Sequence, residues 1–168
     1  MEPNPYQTPQ SQLASSENNT LEYAGFWVRV GASLIDSILI IFLTLPILIG
    51  IYGMEYFNSE GIIIGLWDFL ISWVFPAVAI IIFWVYRSAT PGKMVVKAKI
   101  VDARTGQKPS TGQFIGRYFA YLVSMFPLML GIIWVAFDNR KQGWHDKLAG
   151  TVVIRDKNTS PEPVSFDN

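Results

Sequence analysis

Cysteine is absent from this 168-residue chain. That excludes a disulfide framework, a thiolate metal site and a cysteine nucleophile. Basic charge is almost missing from the first half: of 13 Lys and Arg, only Arg29 precedes residue 87. The formal net charge is zero, so nothing in the balance suggests a nucleic-acid partner. Histidine occurs once, at His145, which leaves no second imidazole for a zinc site. Charged residues make up 15% of the chain, against about a quarter in ordinary soluble domains. Residues 1–22 hold no Lys or Arg and no apolar core, and so lack the pattern of a cleavable signal.

What is present is apolar and aromatic. Hydrophobic residues reach 51%, and the aromatics cluster at the ends of apolar runs: Trp27, Tyr52, Trp67, Trp84, Tyr86, Tyr118 and Trp134. Such placing matches the aromatic belts of a bilayer interface. The first run, 26–52, would reach about 40 Å as a helix, enough to cross a membrane. The second is 66–86, with Pro76 as a kink. The third, 118–137, is interrupted by Pro127 and Gly131 and has basic flanks on both sides. One crossing would put one basic flank outside, so the run is expected to break near Pro127 and return on the side it entered. The expected fold is an all-α membrane bundle, two long transmembrane helices plus a broken third segment, with a small cytoplasmic β element. Residues 1–22 and 156–168 read as disordered tails around a membrane domain over 23–155.

The loop between the first two spans has no basic residue, whereas Arg87 begins a basic segment. The positive-inside rule therefore puts residues 87–117 and both termini in the cytoplasm of a cell (inner) membrane protein. Thr90-Pro91-Gly92-Lys93 reads as a turn. Met94–Asp102 and Thr151–Ile154 read as strands that pair, with Arg104-Thr105-Gly106 as a hairpin turn.

Two charges sit in the first span. Arg29 and Asp36 are seven residues apart, nearly two helical turns, and share a face with Gly25, Ser33, Ser37 and Thr44. A charge at membrane depth costs a few kcal/mol, so it is kept for a reason. Asp36 has two readings, a structural polar group or a proton or cation site. Arg29 has the position of a snorkelling interfacial anchor. About 10 Å of helical rise separates the two, so Arg29 is expected to be bracketed by other acceptors, Asp146 closest. Asp36 is expected deeper, held by the Ser33/Ser37/Thr44 stripe and water. His145-Asp146 lies in the densest polar cluster, 143–151, but forms no complete catalytic constellation. Pro91-Gly92-Lys93 fails as a phosphate loop: Arg87 stands where the first Gly belongs, and Met94 follows the Lys.

Three blocks together resemble the RDD family of small prokaryotic membrane proteins, named for one Arg and two Asp. They are Ala24-Gly25-Phe26-Trp27-Val28-Arg29 with Leu34-Ile35-Asp36, then Thr90-Pro91-Gly92-Lys93 with Val101-Asp102, then Asp138 with Gln142 to Val153. The resemblance implies a charge network of Arg29, Asp36 and Asp146, with Asp138 the alternative for the third residue. It also implies transport roles, including cation/proton exchange. The leading expectation is a transporter or transport subunit working through Asp36, homo-oligomeric because one chain is too small to enclose a pathway. The alternative is a non-catalytic scaffold or accessory protein whose Arg and Asp are structural. No cofactor, no metal and no enzymatic activity are expected.

Overall fold

The computed structural model describes residues 21–59 and 61–156. The disorder expected for residues 1–20 and 157–168 lies outside the described residues.

Helix α1, Phe26–Tyr52, is one 27-residue rod. Most of its large apolar side chains are exposed, among them Leu34, Ile38 and Phe42. That surface is suited to lipid, not to a protein core. After the 3₁₀ turn Met54–Asn58, helix α2 (Leu66–Phe69) runs through a π-helical turn, Leu70–Val74, into α3 (Phe75–Arg87). Pro76 has no N–H to offer the carbonyl of Ser72. The wider π turn falls just before it, at the expected kink. Ser88 is left-handed at φ 54° and ends α3.

The next four residues are not the expected turn. Thr90 caps a short helix α4, Pro91–Val95. Pro91 stands at the first helical position, where a missing N–H costs nothing. The second apolar stretch therefore extends over Leu66–Val95, beyond the expected 66–86. The predicted strand shortens accordingly. Met94 and Val95 are helical, Lys97 turns left-handed at φ 54°, and β2 is Ala98–Asp102.

The third apolar segment doubles back. Helix α5, Thr111–Met125, starts seven residues before the expected 118, on a Ser110/Gln113 capping box. It meets Leu130–Ala136, comprising α6 (Leu130–Ile133) and a 3₁₀ turn, at a bend of 113°. Leu128 and Met129 at the bend are both left-handed, φ 50° and 60°, a conformation that costs roughly 1–2 kcal/mol per residue. Close packing offsets that cost. A Cβ on Gly131 would lie 2.7 Å from the Cα of Ser124, so only glycine lets the returning chain approach α5.

Helix α7, Trp144–Ala149, leads into β3, Thr151–Asp156. The two strands read from the sequence do pair, antiparallel, with Ile100 opposite Val153. A third strand, β1 (Leu21–Tyr23), was not expected. It pairs with the other edge of β3, giving the order β1-β3-β2. Leu21, Glu22 and Asp156 thus belong to the sheet and not to tails. Glu22 faces Arg155 across the strands and forms an ion pair with it. The core beneath the sheet is Ala24, Trp84, Ala98, Ile100, Phe114 and Val153.

One sheet cannot be divided by a bilayer. The start of α1, the segment after α4 and the strand after α7 therefore share one side. The α5–α6 segment lies between β2 and β3 and is bent by 113°, so both of its ends connect to the same sheet.

Candidate functional site

On the sheet side, α1, α5 and α7 converge on Asp146. Its side chain is fully buried and meets two guanidinium groups. Arg29 Nη1 donates to Asp146 Oδ2 at 2.5 Å. Arg117 Nη2 lies 2.5 Å from Asp146 Oδ1, an ion pair outside hydrogen-bond angles. The backbone N–H of Gly143 donates to Oδ2 at 3.0 Å. Arg29 spends its other nitrogens on carbonyls, Nε on Ala24 (2.9 Å) and Nη2 on Lys141 (2.5 Å). It is thus bracketed by acceptors, with Asp146 as its carboxylate. Arg117 Nη1 donates to Thr151 Oγ1 at 2.8 Å, tying the cluster to β3. Arg117 also lies over the rings of Trp84 (5.4 Å) and Tyr121 (6.0 Å). Burial alone would raise the Asp146 pKa; Arg117 and then Arg29 overcome it and bring it down to about 2.

His145 lies beside this group, its ring stacked 3.8 Å from that of Tyr121. Burial first, opposed by Asp146, lowers its pKa to about 3, so it is neutral near pH 7. Asp138 is outside the cluster. It pairs with Lys147 at 2.5 Å, which lowers its pKa.

Asp36 stands apart from both Arg29 and Asp146. Its Oδ2 accepts from Thr90 Oγ1 at 2.5 Å and its Oδ1 from the Gly92 N–H at 2.6 Å. Both donors belong to the first turn of α4, so Asp36 fastens α4 to α1. The Ser/Thr stripe does not hold it. Thr44 donates to Ile40 O in its own helix, while Ser33 and Ser37 line a cavity of about 300 Å³ beside Asp36. Gly92 is required by this contact: a Cβ there would lie 2.0 Å from the carbonyl oxygen of Ala32.

Lys93 Nζ lies 3.5 Å from Thr90 Oγ1, which makes a chain Lys93–Thr90–Asp36 along one cavity wall. Sequence reasoning treated Arg117 as a basic flank and Lys93 as a failed phosphate-loop lysine. Both are buried. The signal for Arg117 was its spacing. It stands at i+3 from Phe114 and i−3 from Ala120, on the stripe of α5 that faces inward.

Two crossing helices with lipid-facing surfaces, closed on one side by a sheet and a buried Arg–Asp–Arg centre, define an integral membrane protein. The sequence model of the RDD family matches residues 23–150, and the chain belongs to that family. It is 31% identical to the uncharacterised protein YxaI of Bacillus subtilis over 147 residues, 78% of this chain and 96% of that one. It is 29% identical to the uncharacterised membrane protein YteJ of the same organism, covering 82% of this chain and 84% of that one. An uncharacterised Rickettsia prowazekii protein shares 45% identity over 75 residues, 45% of this chain but only 41% of its own length. No solved structure matches significantly.

Proposed function

We propose that the chain is a cell-membrane transport protein or transport subunit whose coupling ion is a proton exchanged at Asp36. The observation that carries this reading is the Lys93–Thr90–Asp36 chain on a cavity wall. A hydroxyl between an ammonium and a carboxylate is a relay that can pass a proton in either direction. An ammonium beside the carboxylate also disfavours a bare metal cation there, by like-charge repulsion. The sheet side carries nearly all the basic residues, which supports a cytoplasmic location for the sheet and both termini. Copies of the chain would pair through their exposed helices to complete a pathway. No chemical transformation is assigned to it.

A second reading has its own observation. Asp36 fastens α4 to α1, and Asp146 joins α1, α5 and α7, so the same residues serve a scaffold. The experiment is proton flux in proteoliposomes, driven by opposed cation gradients and read with a pH dye. In Asp36→Asn the amide oxygen accepts from the Gly92 N–H and the amide NH2 donates to Thr90 Oγ1, reversing that bond, but the amide exchanges no proton near neutral pH. A folded Asp36→Asn protein without the wild-type flux supports transport. Undiminished flux in that variant refutes the mechanism, and a folded wild-type protein without flux favours the scaffold. The orientation has a separate check: with no native cysteine, Thr159→Cys should resist membrane-impermeant thiol reagents in whole cells.

A further inference from the structure

The cavity between α1, α3 and α5 has a feature that goes beyond the proton relay. Two buried cations, Arg117 and Lys93, and the half-buried Arg29 accompany two carboxylates, Asp36 and Asp146, and of these only Lys93 and Asp36 line the cavity. Arg29 and Arg117 share the carboxylate of Asp146. Lys93 is 7% exposed and forms no ion pair among the described residues. Its one hydrogen bond there is the long 3.5 Å contact to Thr90. Asp36 already receives a hydroxyl and a backbone N–H. The indole N–H of Trp84, which lines the same cavity, is buried without a protein partner among the described residues. Lys93 Nζ is 6.0 Å from the Trp84 ring centre. Lys93 thus has one long hydrogen bond for its three N–H donors, beside an indole N–H with none among the described residues, and a buried cation without an ion pair is costly.

The rest of the lining joins the Asp36 carboxylate and the hydroxyl-bearing Ser33, Ser37 and Thr90 to the apolar Ile40, Ile80, Leu122 and Met125. A second cavity of about 190 Å³ adjoins the first, sharing Asp36, Ile40, Ile80 and Thr90. It runs between α1 and α3 among Leu39, Leu43, Phe75, Ala79 and Phe83. One end of the combined space offers positive charge and N–H donors, and the other offers only hydrocarbon.

We propose that this space binds an amphiphile with a single anionic head and an unbranched apolar tail, the head against Lys93 and Trp84 and the tail along the α1–α3 groove. A carboxylate and a phosphate monoester both meet that description. An anion on Lys93 gives its side chain the charged partner it lacks in a low-dielectric site, and the tail is solvated by the same side chains that would otherwise face lipid. The site does not depend on Asp36 exchanging a proton, since binding needs no turnover.

The test uses the full chain purified in an uncharged maltoside detergent and titrated calorimetrically with three probes of equal tail: dodecanoate, dodecyl phosphate and dodecanol. Saturable binding of either anion at least tenfold tighter than dodecanol supports the proposal, and the tighter anion identifies the head group. Lys93→Met, whose apolar side chain of similar length favours burial, should remove the preference for anions and leave the affinity for dodecanol. Equal affinity for all three probes overturns the proposal, as does an anion preference unchanged in folded Lys93→Met. If Lys93→Met does not fold, Ser33→Phe decides instead. It fills the cavity from an exposed position with Lys93 in place. Anion binding that survives it overturns the assignment, and its loss supports it.

Discussion

Asp146 and Asp36 are the same side chain in two settings. Asp146 is sealed between two guanidinium groups and is reached by three helices and, through Arg117 and Thr151, the sheet. Asp36 is partly buried and held by one hydroxyl and one backbone N–H, with cavities on either side. Removing charge from the first leaves two buried cations unmatched. Removing charge from the second leaves every local hydrogen bond possible. The difference separates a residue that ties three helices to the sheet from one that ties α4 to α1.

The largest effect expected is at the sealed site. Asp146→Asn should cost about 3–5 kcal/mol, the range for breaking a buried ion pair on one side, read as the shift of unfolding in mixed micelles. A loss no larger than that of Asp36→Asn would erase the contrast. Next comes Gly92→Ala, where the added carbon meets the Ala32 carbonyl oxygen at 2.0 Å. It should cost about 3 kcal/mol, the upper range for overpacking, and it should expose the α1–α4 contact to hydrogen exchange.

A pH dependence sharpens the comparison from the Asp146 side. The folded pKa of His145, about 3, lies below its ordinary 6.5. The unfolded chain therefore takes up a proton that the folded chain refuses. Stability from this residue is full above pH 6.5 and declines as pH falls toward 3, by up to about 1.4 kcal/mol per pH unit. By pH 5 the loss is roughly 2 kcal/mol. Asp146, with its pKa brought from 3.8 to about 2, adds its own loss only below pH 4. His145→Phe, which keeps an aromatic ring against Tyr121, should flatten stability between pH 7 and 5. The smallest effect is at Asp36. Asp36→Asn should cost under about 1 kcal/mol, because both hydrogen bonds can be remade, so a large destabilisation there would make Asp36 a second structural centre.

Much of the frame was legible in the sequence because it is written in local pattern. Long apolar runs gave α1 and the α2–α3 crossing. Pro127 pointed to the break in the third segment, and β-branched composition found β2 and β3. The partner of Asp36 was not legible. A carboxylate in a polar stripe looks served by its own helix, whereas the donors that hold it are 54 and 56 residues away. Thr90-Pro91-Gly92 fits a turn and a helix start equally well, and contact with Ala32 decides between them. Strand β1 was missed because three residues are too short to show alternation, and only the free edge of β3 makes them a strand. Arg117 was hidden by the habit of assigning a basic residue at the end of an apolar run to the interface. Its place on the inward stripe of α5 puts it in the core.

The central position of β3 also orders events during synthesis. Arg29 and β1 leave the ribosome early, yet their partners, Asp146 and β3, belong to the last part of the chain. The Arg29–Asp146 bond spans 117 residues, a wait of roughly 6–23 s at 5–20 residues per second. Through that interval the Arg29 guanidinium is without its Asp146 carboxylate, and of its carbonyl partners only Ala24 has been made. The anchoring role read from its position is then its first occupation, given up when the final helix arrives. A chain cut short before α7 would keep its membrane helices and lose the bond that tells them they are finished.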